Sequence, residues 1–473
     1  MKKNIVIIFS LMLLSLVGCQ KVIDVKETDF IGGDIALKTV ANNEQGIIGA
    51  YAALNTEMDV LLNSTLADEV RVADFYNAAT THEWQYGPAD VGLRDNFTAF
   101  NPLYKVIDRA NRVLQALPNA VSTGAADDAL KLKLRGEALF LRAFCHFQLY
   151  RYYSNSTVST DLALAYMDAP SLTPTARITV GPYILKLKAD MAEAKNLVPN
   201  NLTDVARANK LTVAALQARV ALYNKDYADA ITYSTEYING VPLSPRAQFS
   251  GIWTDANKNE CSFIITRTTA TTRMGSLFRG TSASSAAIGT ITWRPSDKLW
   301  NSYDQINDIR FASYFKDEPL LPSTRSSTRL IYKYAGTTYG TSAENVANQK
   351  VFRTGEMYLI RAEAEAESNL LTASAQDVND LRAARITGYT PVTFASKDLA
   401  ITAIMDERFK ELPYEGHRFW DLKRRNLPVT RLAVDAPNAA AMTLPAGNYH
   451  FLLPIPDPEI KANPVIQQNA GYN

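Results

Sequence analysis

A chain that contains the segment Asp127 to Tyr153 has few folds open to it. Leu130, Leu134, Ala138, Leu141, Cys145 and Leu149 recur three and four residues apart, and Phe140, Phe144 and Phe147 widen that stripe over most of the helix girth. Such a helix must be packed on two sides. The flanking sequence supplies partners: helices are predicted over 43–62, over 97–117 with Phe100, Leu103, Ile107, Ala110 and Leu114 on one face, over 182–198 before Pro199, and over 210–224, 226–239 and 396–412. Residues 221–231, Ala-Leu-Tyr-Asn-Lys-Asp-Tyr-Ala-Asp-Ala-Ile, look like the turn between the two helices of a tetratricopeptide repeat, and 355–366 with 374–386 repeat the pattern. Each pair buries its second face only on a neighbour, so the predicted fold is mainly α, a tetratricopeptide-like α-superhelix.

Two stretches break the helical period. Asp68 to Asn96 carries Phe75, Tyr76, Trp84 and Tyr86 without helical spacing and reads as a long structured loop. From 241 to 350 the texture turns to Ser, Thr, Gly and Pro, with alternating runs at Cys261–Thr266 and Leu330–Tyr334. This predicts a large irregular, loop-rich insert with a few short β-strands. Long loops inside a compact fold tend to carry function.

The N-terminus reads Met1-Lys2-Lys3, an apolar run from Ile5 to Leu14, then Leu16-Val17-Gly18-Cys19. A basic start, an apolar core too short to span and small residues before the cut predict a secretory signal. Leu-x-Gly-Cys resembles the bacterial lipobox, whose cysteine is acylated. The expected organisation is a lipoprotein signal peptide at 1–18, a lipidated tether at 19–40 starting from Cys19, helical repeats at 41–240, the insert at 241–350, and a C-terminal region at 351–473 that includes the last repeat pair. No second apolar stretch reaches membrane-spanning length, so attachment is expected through lipid.

Removing residues 1–18 takes Lys2 and Lys3 from the 49 basic residues and leaves 47 against 48 acidic. That balance, without a long like-charge run, argues against nucleic acid as a partner. Cys145 and Cys261 are expected as two buried thiols. Of the four histidines, His82, His146, His417 and His450, none sits in His-Glu-x-x-His, and no Gly-x-Ser-x-Gly elbow or phosphate-binding glycine loop is present. Asp255-x-Asn257-x-Asn259 opens like a calcium loop, but Glu260 stands where Gly is required and Thr266 where Glu is required. It reads as a turn. No catalytic residue, cofactor or metal is therefore expected, although a glycosidase carboxylate pair is decided by separation in space and stays open.

The run from Asp406 to Arg424, Asp-Glu-Arg-Phe-Lys-Glu-Leu-Pro-Tyr-Glu-Gly-His-Arg-Phe-Trp-Asp-Leu-Lys-Arg, resembles the signature of the SusD/RagB family of outer-membrane nutrient-uptake lipoproteins. Gly136 to Phe147, Asp308-Ile-Arg310, Lys333-Tyr334, Glu356 to Ala364, Asn379-Asp-Leu-Arg382, Leu453-Pro-Ile-Pro and Gln468 to Tyr472 follow in the family's order. Phe409 and Pro413 stand where Arg and Ala are more usual, and Gln20-Lys21-Val-Ile-Asp24 replaces the acidic run that commonly follows the lipidated Cys. The resemblance implies a non-enzymatic, glycan-binding lipoprotein on the cell-surface side of the outer membrane. It also implies a partner, a SusC-like TonB-dependent transporter that receives the oligosaccharide. A surface lipoprotein hydrolase acting on glycan or peptide is the second reading, and a repeat scaffold with only protein partners the third.

The densest motif, Glu407, Arg408, Glu411, Glu415, Arg418 and Asp421, is expected to be an ion-pair lattice that fixes the C-terminal region onto the repeats, with His417 a structural group. The family's ligands lie against loops, which here means 68–96 and 241–350. Trp84 and Trp293 are the predicted stacking rings, and Tyr86, Phe75, Tyr76 and Asp68 complete the arc and its polar rim. Trp253, Trp300, Tyr303 and Tyr314 come next. Arg71, Arg94, Arg273 and Arg294 leave acidic glycans or peptides open as ligands.

Overall fold

The structure, a computed structural model, describes residues 36–472 apart from 56, 74–78, 97–98, 155–156, 280–290, 319–327, 337–340 and 342–343, and apart from the side chains of 94–96. The signal peptide, Cys19 and most of the tether lie outside the described residues, as do Phe75 and Tyr76.

The first helices are α1 (Val40–Ala52), α2 (Glu57–Leu66), α3 (Phe100–Ala116) and α4 (Ala125–Tyr153). One helix was expected over 43–62, but Leu54, 2% exposed, turns into the core after donating its N–H to the Tyr51 carbonyl, and this tight turn ends α1. The C-terminal half of α4 is buried around its whole girth. It is held between α3 on one side and α5 (Val180–Leu197) on the other. Gly136 sets the approach: a Cβ there would lie 2.8 Å from Leu197 Cβ.

The stack continues through α6 (Lys210–Tyr223) and α7 (Tyr227–Gly240). Past the short α8 (Arg246–Trp253) come α9 (Thr354–Glu367), α10 (Leu371–Arg385), α11 (Lys397–Glu411) and α12 (Arg418–Arg424). Asn209 and Ser396 cap α6 and α11 by accepting the N–H of Thr212 and Leu399. Helix α7 packs directly on α9, although more than a hundred residues intervene in sequence. The superhelix is thus continuous, and the insert leaves and rejoins it through a neck.

That neck is the antiparallel pair β2 (Cys261–Ile265) and β6 (Gln349–Arg353). All five β2 residues are buried, rather than alternating, because the strand is covered from the α6 side too: Asn209 and Thr212 both donate to the Ser262 carbonyl. Cys145 and Cys261 are free and buried, and burial pushes the Cys261 thiol up to about 12. The calcium-like segment is a turn on this neck. Asp255 accepts from Asn348 N (2.8 Å) and Lys350 Nζ (2.8 Å), and Asn257 Oδ1 from Asn259 N (3.0 Å).

The remaining strands are short: β1 (Val70–Val72) pairs with β3 (Trp293–Pro295), β4 (Phe315–Asp317) with β5 (Arg329–Ile331), and β7 (Val429–Thr430) with β8 (Thr443–Leu444), all antiparallel. Helices α9, α10 and α11 enclose a small apolar core of their own, including Leu359, Val378, Leu381 and Ile404.

Candidate ligand-binding site

Between that small core and the main one runs a seam of buried charge, and the densest sequence motif supplies its acids. Glu411, at the end of α11, accepts from Arg310 (3.0 Å), Arg385 (3.0 Å) and Arg353. Glu407 pairs with Arg310 (2.5 Å) and Arg382 (2.6 Å), and Glu415 with Lys333 (2.7 Å) and Arg353 (2.7 Å). Arg310, Lys333 and Arg353 come from the insert and its neck, so the lattice ties insert, repeats and C-terminal region together. Gly355 is required beside it, because a Cβ would fall 2.4 Å from both Arg353 Nη1 and Glu411 Oε1. Burial pushes Glu407 up, but the surrounding cations outweigh it and hold it at about 2. His417 is buried, and burial together with Arg219 and Arg408 keeps it well below its ordinary value, hence neutral. This site is structural, as expected.

A second cluster lies where the two loop stretches meet. Register pairs Val72 with Trp293 and Arg71 with Arg294, and Ala73 N–H donates to the Thr292 carbonyl (3.1 Å). Ser296 extends the junction, its N–H reaching the Glu69 carbonyl (3.0 Å) and its hydroxyl the Asp68 carbonyl (2.7 Å). Ala73 and Ile291, just beyond β1 and β3, share one small apolar cluster with Leu330 of β5. The chain therefore enters or leaves the stretches around 74–78, 280–290 and 319–327 from a single patch. Its crest is polar: Asp297 bridges Arg71 (3.2 Å) and Arg329 (3.0 Å), all three partly exposed, and Arg329 lies over the Trp300 ring at 4.6 Å.

The predicted rings are not on that crest. Trp84 is 5% exposed and Trp293 1%. Trp84 Nε1 donates to the Leu66 carbonyl (2.9 Å) while the Arg431 guanidinium covers its face at 4.1 Å. Trp293 meets the edge of the His82 ring at 5.0 Å, and His82 Nδ1 is 2.7 Å from the Thr65 carbonyl. Asp68 is the buried partner of Arg418 (2.9 Å) and Lys298 (2.7 Å), and these cations hold it well below the carboxylate range despite its burial. The reserve set fares alike: Trp253, Trp300, Tyr303 and Tyr314 are all buried. Each of these rings is packed into the core rather than open to a ligand. Of the cations left open for acidic ligands, Arg71 is bound to Asp297, Arg294 is buried, Arg273 donates to the Glu344 carbonyl, and the Arg94 side chain lies outside the described residues.

Tyr86 is buried as well, but beneath a ring cluster that reading of the sequence missed. Its hydroxyl donates to the His450 carbonyl, and its ring meets His450 at 5.0 Å and Tyr472 at 6.3 Å. Tyr449, 43% exposed, tops the cluster and is the one aromatic side chain open to that degree among the described residues. Tyr449-His450 follows a Gly447-Asn448 turn, which was the available signal.

Comparison with known proteins gives the fold its context. The profile of the "SusD family" matches residues 290–472, and that of "Starch-binding associating with outer membrane" matches residues 24–222. The chain belongs to the SusD/RagB family. Curated SusD relatives include SusD-like protein P2 of Formosa agariphila, 27% identical over 99% of this chain and 100% of the relative, and P38 of the same organism, 24% identical over 90% and 92%. Among solved SusD structures, a superfamily member from Bacteroides thetaiotaomicron superposes with a TM-score of 0.80 at 22% identity, covering 91% of this chain and 99% of that one. A laminarin-binding SusD-like protein superposes with a TM-score of 0.72 at 21% identity, covering 92% and 100%.

Proposed function

We propose that this protein captures oligosaccharides at the outer membrane without catalysis and hands them to a SusC-like TonB-dependent transporter. The observation that carries the reading is the convergence of Ala73, Ile291 and Leu330, from the two loop stretches, on one small apolar cluster, the loop seat. Family membership, the starch-binding profile and the laminarin-binding neighbour support a glycan as the cargo. With Trp84 and Trp293 buried, the stacking rings proposed are Phe75 and Tyr76 of the same loop stretch, which lie outside the described residues.

Purified protein is expected to be retarded in gels containing laminarin or starch, with no new reducing ends. Stacking on an open ring contributes on the order of 1 kcal/mol beyond area burial, so Phe75→Ala with Tyr76→Ala should weaken retention roughly tenfold or more at unchanged Tm. Release of reducing ends, or passage through every gel unretarded, would sink the reading.

Anchoring is proposed through an acylated Cys19. Two or more acyl chains, at about 0.8 kcal/mol per buried CH2, hold a protein lastingly where one does not. Among the described residues no helix is long and apolar enough to cross a membrane. Cys19→Ala should therefore move the folded body to the soluble fraction, and its persistence on membranes in high salt would refute the anchor.

A further inference from the structure

At the C-terminal end of the signature helix α12, lined by none of the loop-seat residues, lies a cavity of about 290 Å³. That is near the roughly 300 Å³ at which small-molecule pockets begin, which suits one sugar ring rather than a long chain. Four aromatic side chains line it: Tyr150 from α4, Tyr223 from α6, Trp420 from α12, and Phe451.

Its charge is one-sided. Arg151, Lys225, Lys423 and Arg424 line the cavity and no carboxylate does. Two of these cations are neutralised from behind, Arg151 by Asp59 (2.7 Å), and Arg424 by Glu363 (2.5 Å) and Asp421 (2.9 Å). Lys423 is not. Its Nζ donates to the carbonyls of Arg151 (2.8 Å) and Ser154 (2.6 Å), and no carboxylate among the described residues is paired with it. Its Nζ also lies 5.4 Å from the centre of the Trp420 ring, and an ammonium carries three donors, so one is left beyond the two carbonyls. Burial and the nearby Arg151 push Lys423 down to about 7, the response of a cation that lacks its counter-charge.

A buried hydroxyl lines the same cavity. Ser154, 3% exposed, lines the cavity with an Oγ that has no hydrogen-bond partner among the described residues. Buried polar groups are rarely left so. The amide of Asn426, at the exposed rim, adds a planar polar group of the kind that meets sugar hydroxyls.

We propose that this cavity binds a single acidic sugar residue, its carboxylate on Lys423 and Ser154 and its ring against the aromatic walls. A simple inorganic anion would leave four rings unused, and a neutral sugar would leave Lys423 without a carboxylate partner. The assignment stands apart from capture at the loop seat, since no residue is shared.

Titration calorimetry of the mature chain with D-glucuronate, D-glucose and inorganic sulfate tests it. Saturable glucuronate binding is expected, at least tenfold tighter than glucose or sulfate. Lys423→Met should weaken it tenfold or more, and Lys225→Glu, on an exposed turn where folding is not at risk, several-fold. Should Lys423→Met fail to fold, Lys225→Glu decides alone. No saturable glucuronate binding, glucose or sulfate bound as tightly, or parent-like affinity in the folded variants would each overturn the proposal.

Discussion

Glu411→Ala is expected to be the most damaging single substitution in the signature region, with a collapse in soluble yield and a fall in Tm of about 4 °C or more, since each kcal/mol lost moves the midpoint of so long a chain by roughly 1–2 °C. Its carboxylate is fully buried and meets Arg310, Arg385 and Arg353 at once. Removing one partner of a buried pair costs about 3–5 kcal/mol, because the other charge is left without compensation. Here three guanidiniums lose a shared acceptor. Glu411→Gln keeps the shape and loses the charge, so it should be nearly as damaging. Arg418→Ala breaks the pair with Asp68 at the lattice margin, where Lys298 still compensates the acid, and removes the guanidinium from the Phe409 ring (4.4 Å). It should lower Tm by a few degrees and leave glycan retention of the folded fraction intact. Thermal unfolding of the three variants checks this ranking, and a Glu411→Ala protein melting within about a degree of the parent would refute it.

The same lattice fixes a sign for pH. Glu407 is held at about 2, below its unfolded value, so its contribution is complete above the ordinary glutamate range and is lost as pH falls through its folded value. Acid unfolding should therefore steepen between about pH 4.5 and 2. Glu69 works the other way. Burial raises it to about 7, so it folds protonated and its contribution weakens as pH rises from about 4.5 through 7.

The helices were legible because apolar spacing is a local signal. Leu130 to Leu149 announce a helix buried on two sides whatever its neighbours are, and α3 to α7 and α9 to α11 follow with ends displaced by a few residues. The role of Glu407, Glu411 and Glu415 was legible too, since so many charges around one helix end have few outcomes besides mutual pairing. Their partners were not. Arg310 and Arg353 stand 101 and 58 residues before Glu411 in the chain, and nothing local ties them to α11. Loop aromatics failed for a related reason: without a period, sequence does not say whether a ring faces solvent. The short helix Ala79–His82 and strand β3 fold Trp84 and Trp293 inward through contacts with Leu66, Arg431 and His82, none of which is near both in sequence.

Trp84→Ala should accordingly act on stability and not on a ligand. The indole fills core space beside α2, its Nε1 is spent on the Leu66 carbonyl, and Arg431, stacked on its face, also donates to the carbonyls of Ala67, His82 and Ala441. Truncation removes the packing, leaves the Leu66 carbonyl only its long contact with Arg431 (3.4 Å), and loosens the arginine that ties α2 to the C-terminal hairpin. Large-to-Ala changes at such sites cost about 3–5 kcal/mol. Trp84 sits at φ 55°, in the left-handed region, and Ala keeps the Cβ that makes that conformation costly, so the substitution gains nothing there. Trp84→Phe separates the contributions: it keeps an aromatic ring but deletes the N–H, so it should recover most of the packing and lose about 1 kcal/mol for the one hydrogen bond to a carbonyl that Arg431 still reaches. Trp293→Ala, fully buried against His82, should resemble Trp84→Ala. Measured together, melting temperature and retention in laminarin or starch gels distinguish the two roles. A variant that melts like the parent but no longer binds would return Trp84 to the ligand surface, whereas lowered Tm with parent-like retention of the folded fraction fits a ring whose work is to hold the loop seat in place.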